Sequence, residues 1–164
     1  MNREILNNIN QSQTIRVFHI DFRLRFLGTI TRNDLVNRFG IKEAAATRDI
    51  ALYRDIAPGN LTYDAVAKKY FSTESFQPVF EHTSEQALLA LSTGIGDDSI
   101  GIHKQLILSE IPVQLSNPNI DVLAAITTAI HQRRPTEIEY YSTSSGKTNR
   151  TIVPFGLVSN GLRW

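Results

Sequence analysis

ITRNDLVNRFGIKEAAATRDIALYRDIAPGNLTYDAVAKKYFS, Ile30 to Ser72, carries the signals that settle the architecture. Thr31 and Asp34 have capping-box spacing, in which a hydroxyl and a carboxylate three residues apart satisfy free amides at a helix start. Ile30, just ahead of the cap, can staple onto Leu35 in the first turn. A short helix is therefore predicted from Arg32, with Leu35, Val36 and Phe39 inward. It should end at Gly40, which can take the left-handed conformation of a tight turn. Lys42 to Ile56 reads as the next helix, closed by Ala57-Pro58-Gly59. Two helices joined by a short glycine-containing turn, with Ile41 plugging that turn, have the spacing of a helix-turn-helix. Leu61-Thr62-Tyr63 then alternates as a strand, Asp64 to Lys69 makes a loop with two adjacent lysines, and Tyr70-Phe71-Ser72 returns as a second strand. That hairpin is a wing.

Upstream, residues 14 to 27 place Ile15, Phe18, Phe22 and Phe26 at helical spacing, widened by Ile20, Leu24 and Leu27, so a largely covered helix ending at Gly28 is expected. Downstream, Phe76-Gln77-Pro78-Val79-Phe80 reads as an extended connector that docks its aromatics. Further expectations are a helix from Ser84 to Leu91, a loop from Gly94 to Gly101, and a strand within Gln105 to Leu115, broken at Pro112. Asn117 or Asn119 should cap a helix running through Gln132, with Ile120, Leu123, Ile126 and Ile130 on its inner face. Strands are expected at 136–142, 148–153 and 155–158. The class is α+β, divided as 1–75 (winged helix-turn-helix), 76–118 (connector and dimerisation segment) and 119–164. Asn160-Gly161 is a strong hairpin signal with only three residues after it, so the chain reads as a fragment or truncated product.

On the helix from Lys42, the positions Ala46, Ile50 and Tyr53 share one face, and Glu43, Ala44, Thr47, Arg48 and Ala51 share another. The first face is core. The second can enter a major groove, where Arg bonds guanine bidentately, Thr offers a hydroxyl or methyl, and Ala permits close approach. Lys42 at the helix start favours phosphate. Lys68 and Lys69 in the wing suit backbone or minor-groove contact, and Arg32 and Asn33 can add phosphate contacts. Each residue also has a plainer reading: Arg48 as a helix residue paired with Asp49 or Asp55, the lysines as solubilising charges. Helix-turn-helix, wing and basic balance in one stretch together favour nucleic acid. Residues 1–70 carry eleven Lys and Arg against seven Asp and Glu, while the remainder carries six against nine. The competing function is a protein-interaction or dominant-negative module built on a winged helix.

Other chemistry finds little support. The chain has no cysteine, which excludes disulfides and thiolate chemistry. His19, His82, His103 and His131 lack a second ligand at i+3 or i+4, so no metal site is expected and structural roles are, with His19 inside the first apolar helix. Gly94-Ile95-Gly96-Asp97-Asp98 lacks the Lys-Ser/Thr of a phosphate loop and reads as a surface turn. No catalytic residues and no cofactor are expected, hence no enzyme. No apolar run approaches the roughly 20 residues that span a membrane, and no signal-peptide core follows Met1, so the expected location is the cytoplasm, at the nucleoid.

Ile30 to Phe80, with Ala57 to Asp64 (APGNLTYD) its most specific part, resembles the amino-terminal winged helix of WYL-domain transcription regulators. The likeness is to those encoded beside bacterial anti-phage defence systems of the BREX and CBASS kinds. Gly40 to Ile50 is also similar to the helix-turn-helix of sugar-operon repressors. Ile138 to Ser144 (IEYYSTS), Arg150, Ile152, Pro154 and Gly161 to Trp164 (GLRW) resemble the opening strands of the Sm-like, SH3-type WYL β-barrel, here incomplete. The resemblance implies a homodimeric repressor of its own defence operon that binds a palindromic site on double-stranded DNA. It also implies a nucleotide or nucleic-acid effector in a full-length form, held near the positions matching Tyr140, Ser142, Ser144 and Arg150.

Overall fold

A computed structural model describes residues 5, 6, 8–93, 109, 110, 118–144 and 146–158. The class is α+β, and the chain divides into two compact units, Met1–His82 and Thr83–Trp164. The expected loop at Gly94–Gly101 and the hairpin signal at Asn160-Gly161 lie outside the described residues, as does most of Gln105–Leu115.

In the first unit α1 spans Gln11–Phe26, one turn earlier than its apolar pattern predicts. The reason is a capping box: Asn10 Oδ1 accepts from the Gln13 amide at 2.9 Å, and Gln13 Oε1 accepts from the Asn10 amide at 3.3 Å. Residues 19–24 and Phe26 are all buried, so the second half of α1 is surrounded. The expected stripe is corrected at its start. Ile15 is 51% exposed and Phe18 is 37% exposed, Phe18 instead meeting the Phe80 ring edge-on at 5.3 Å. Asp21 takes an interior place because it has partners there, and hydrophobic period alone does not anticipate that.

The helix-turn-helix forms as expected, with α2 at Arg32–Phe39 and α3 at Glu43–Ile56. The Asp34 carboxylate accepts from the Thr31 amide at 2.7 Å and from the Thr31 hydroxyl at 2.8 Å, and the Asp34 amide returns a bond to Thr31 Oγ1 at 3.2 Å. Gly40 ends α2 at φ +62. Ile30, Leu35, Ala46, Ile50, Tyr53 and Ile56 join Val17, Ile20 and Leu24 of α1 in one buried cluster.

The wing is three-stranded, with Lys69–Ser72 in the middle between Thr29–Ile30 and Leu61–Asp64, both pairs antiparallel. Strands β2 (Leu61–Asp64) and β3 (Lys69–Ser72) are the expected hairpin, with Lys69 inside the strand opposite Asp64. Strand β1 (Thr29–Ile30) is an addition: two residues between a helix end and a cap are too few to show alternation, but Gly28 at φ +70 turns them alongside Phe71 and Tyr70. At the tip, Asp64 Oδ1 accepts the Val66 and Ala67 amides at 2.8 and 2.9 Å.

Phe76, Val79 and Phe80 pack on this core, as expected of the connector, so residues 76–82 belong to the first unit. Asp21, fully buried, holds them. Its carboxylate accepts the Tyr53 hydroxyl at 2.6 Å, the Val79 amide at 3.0 Å, the Phe80 amide at 3.2 Å and His82 Nε2 at 3.1 Å. Burial first, and the Asp21 charge second, push the Tyr53 hydroxyl far above its ordinary value, so it stays a donor.

In the second unit α4 spans Ser84–Thr93 and α5 spans Ile120–Gln132. Asn119 is the cap of α5, accepting from the Asp121 and Val122 amides. Leu123 and Ile130 are buried, while Ile120 and Ile126 are half-buried. Strand β4 (Ser109–Glu110) pairs in parallel with β7 (Leu157–Val158), and β5 (Thr136–Ser142) pairs antiparallel with β6 (Gly146–Ile152). Strand β6 thus begins two residues before its expected start, at Gly146 with φ +69.

Candidate nucleic-acid interface

The exposed face of α3 is built by what lies beneath it. Ala46, Ile50 and Tyr53 are anchored in the core, and helical geometry then turns Glu43, Ala44, Thr47 and Arg48 outward. Thr47 donates its hydroxyl to the Glu43 carbonyl at 2.9 Å, leaving its methyl and oxygen lone pairs outward. Arg48 lies back along the helix, with Nε 3.3 Å from the Ala44 carbonyl.

Neither carboxylate named as a partner for Arg48 is its partner here. Asp49 is buried and taken by Arg16 of α1 at 2.6 Å, and among the described residues no acid pairs with Arg48. Arg32, Lys42, Lys68 and Lys69 likewise have no ion pair among the described residues. Five cations on this side of the first unit are thus without an ion pair among the described residues. Lys42 stands at the N-cap of α3 without a side-chain cap bond, beside amides that helical geometry leaves unpaired.

Three elements converge on one groove. A cavity of about 370 Å³ is lined by Thr31, Arg32 and Asn33 from the start of α2, Glu43 from the start of α3, and Ala67 and Lys68 from the wing. It joins four of the residues singled out in the sequence: Arg32, Asn33, Glu43 and Lys68. The backbone of Lys68 is left-handed, at φ +54, which shapes the tip that reaches this groove. Lys42, Ala44, Thr47, Arg48 and Lys69 are not in its lining.

Arg48 borders a second cleft, of about 200 Å³, with Ala45, Asp49, Arg16, Asn10 and Gln13. Asn10 and Gln13 were not among the candidates, although the Asn-x-x-Gln spacing of a capping box was there to be read. On the wing strands the Tyr63 and Tyr70 rings lie 4.7 Å apart, tilted by 46°, with Tyr63 still 44% exposed.

His19 has the structural role expected of it: it is buried, set edge-on to Phe39 at 5.4 Å, and its Nδ1 has no partner. Burial first, then the charges of Arg38 and Arg23, hold its pKa well below the ordinary value, so it is neutral. No group of three or more His, Asp or Glu able to hold a metal occurs among the described residues.

The residues matched to an effector pocket all lie on the β5–β6 hairpin. The register sets Arg150 opposite Ile138, hence diagonal to Tyr140, and its guanidinium sits 4.0 Å from the Tyr140 ring centre. The Ser142 and Ser144 hydroxyls lie 2.9 Å apart at the turn. No helix among the described residues is long and apolar enough to cross a membrane.

Comparison with known proteins agrees with this geometry. The family model of the BrxR transcriptional regulator winged helix-turn-helix domain matches residues 12–93, and that of the WYL domain matches residues 121–164. A DNA-binding transcriptional repressor CapW from Escherichia coli (strain KTE188) is 34% identical over 161 residues, covering 93% of this chain and 53% of that protein. The CapW of Pseudomonas aeruginosa is 33% identical over 159 residues, with 93% and 53% covered, and that of Stenotrophomonas maltophilia is 27% identical over 164 residues, with 96% and 55% covered. The chain spans about half the length of these curated relatives.

Proposed function

Since the chain belongs to the BrxR family of winged helix-turn-helix transcriptional regulators, with a WYL domain following, we propose that it is a DNA-binding repressor whose reading head is α3 and whose wing grips the adjacent backbone. The observation that carries this reading is the joint exposure of Thr47 and Arg48 beside a groove that unites Arg32, Asn33, Glu43 and Lys68. Arg48 and Thr47 read base edges; Glu43 accepts from a cytosine amino group; Ala44 lets the helix approach. Arg32, Asn33, Lys42, Lys68 and Lys69 hold phosphates and set the register. The protein acts as a homodimer on a palindromic operator at its own phage-defence operon. In a full-length form a nucleotide or nucleic-acid effector is held near Tyr140, Ser142, Ser144 and Arg150. The relatives' names as repressors and the likeness of Ile30 to Phe80 support this reading.

Footprinting on duplex from upstream of its own gene tests it. Two protected half-sites about one helical turn apart, or a multiple, are expected, with affinity falling steeply as salt rises. Self-association without retardation of any duplex at low salt would replace this reading with that of a protein-interaction module.

A further inference from the structure

We infer that Arg16 of α1 is a positioning residue for the DNA-reading face: it sequesters the Asp49 carboxylate and so keeps the neighbouring Arg48 guanidinium available. This inference rests on the DNA-binding reading above. Arg48 and Asp49 are adjacent in sequence, and both line the 200 Å³ cleft with Arg16. Left alone, a carboxylate beside the base-reading arginine would draw its guanidinium down and cancel its charge.

Arg16 prevents both. Its Nε donates to Asp49 Oδ2 at 2.6 Å and its terminal nitrogen to Oδ1 at 3.2 Å, so both carboxylate oxygens are engaged by one planar fork. The side chains are only 17% and 4% exposed, which limits screening by salt. Among the described residues Arg48, in contrast, is held only by the 3.3 Å bond from its Nε to a carbonyl of its own helix, an interaction readily exchanged for a base. The same pair joins α1 to α3. Among the described residues lining the cleft, Arg16 and Arg48 are the two cations and Asp49 the one acid, so freeing Asp49 must come at the expense of Arg48.

The test uses the full chain, fluorescence anisotropy, duplex from upstream of its own gene and a random duplex of equal length. Arg16→Met is expected to weaken binding to both by on the order of tenfold and to lower the salt slope by about one. Adding Asp49→Asn removes the freed charge and is expected to restore affinity to within about threefold of wild type. Asp49→Asn alone preserves shape, leaves the Arg16 charge unneutralised, and is expected to tighten random-duplex binding. Arg16→Lys keeps the charge but not the fork, and should fall between wild type and Arg16→Met. A double variant as weak as Arg16→Met overturns the inference, because Arg16 then acts by touching DNA or bracing the fold. Should Arg16→Met melt below the assay temperature, the polar Arg16→Gln and its double variant with Asp49→Asn decide, and equal duplex affinity of that pair overturns the inference. Wild-type protein that binds neither duplex defeats the DNA reading itself and this inference with it; wild-type binding without rescue defeats this inference alone.

Discussion

Replacing Asp21 with alanine should unfold the reading head more effectively than any change on its surface. The carboxylate is fully buried and receives four donors, from Tyr53 on α3 and from Val79, Phe80 and His82 in the segment after the wing. Removing it leaves those donors without an acceptor in a place water does not reach. An unsatisfied buried donor costs about 1–3 kcal/mol, but the costs do not add, and the variant also recovers the desolvation that the carboxylate had required. Together these give a net loss of about 3–5 kcal/mol, as for breaking a buried charged network. For a unit of this size that is a fall in Tm on the order of 20 °C. Asp21→Asn retains one acceptor oxygen and should lose about half as much, and Tyr53→Phe, which removes the bond to Asp21 and the one accepted from the Asn60 amide, about 1–2 kcal/mol. Urea denaturation followed by circular dichroism, with hydrogen exchange assigning the transition to residues 11–82, gives the three values. An Asp21→Ala loss below about 1 kcal/mol would refute the reasoning, since it would mean the buried charge costs as much as its bonds return.

Stability should also depend on pH through His19. Its folded pKa lies below the unfolded value, so the unfolded chain takes up a proton first as pH falls. The stabilisation is full above about pH 6.5 and is lost on acidification toward the lowered folded pKa, with a slope of up to about 1.4 kcal/mol per pH unit. His19→Phe should flatten melting profiles taken between pH 7 and 5, and a slope unchanged by the substitution would assign the effect to other groups. Thr31→Ala removes the capping hydroxyl of α2 and should cost about 1 kcal/mol in urea melts, whereas Thr31→Ser should cost less. For DNA binding, Arg48→Ala should relax base choice and cost about 1–3 kcal/mol on the operator. Lys69→Ala should weaken operator and random duplex alike, as anisotropy on both would report. Equal losses on both duplexes from both variants would reverse these roles.

The reading head is legible in the sequence because its signals are local. Thr31 with Asp34 and Gly40 each state their element within one turn of chain, and the placement of Ala46, Ile50 and Tyr53 sorts α3 into a core face and an exposed one. Hence helical periodicity suffices to turn Thr47 and Arg48 outward. What depends on distant partners is not legible. Asp21 meets residues about sixty positions away, and Arg16 reaches Asp49 across thirty-three. No periodicity announces such pairs, because burial of a charge is decided by its partner and not by its own neighbours in sequence. For the same reason β1 has no signal of its own, two residues becoming a strand only because Phe71 and Tyr70 return beside them. Local residue chemistry therefore determined the helices and hairpin of the reading head and which face of α3 is polar. Only the tertiary structure decided that α2, α3 and the wing would share one groove, and that Asp49, the acid next to Arg48, would be taken by Arg16.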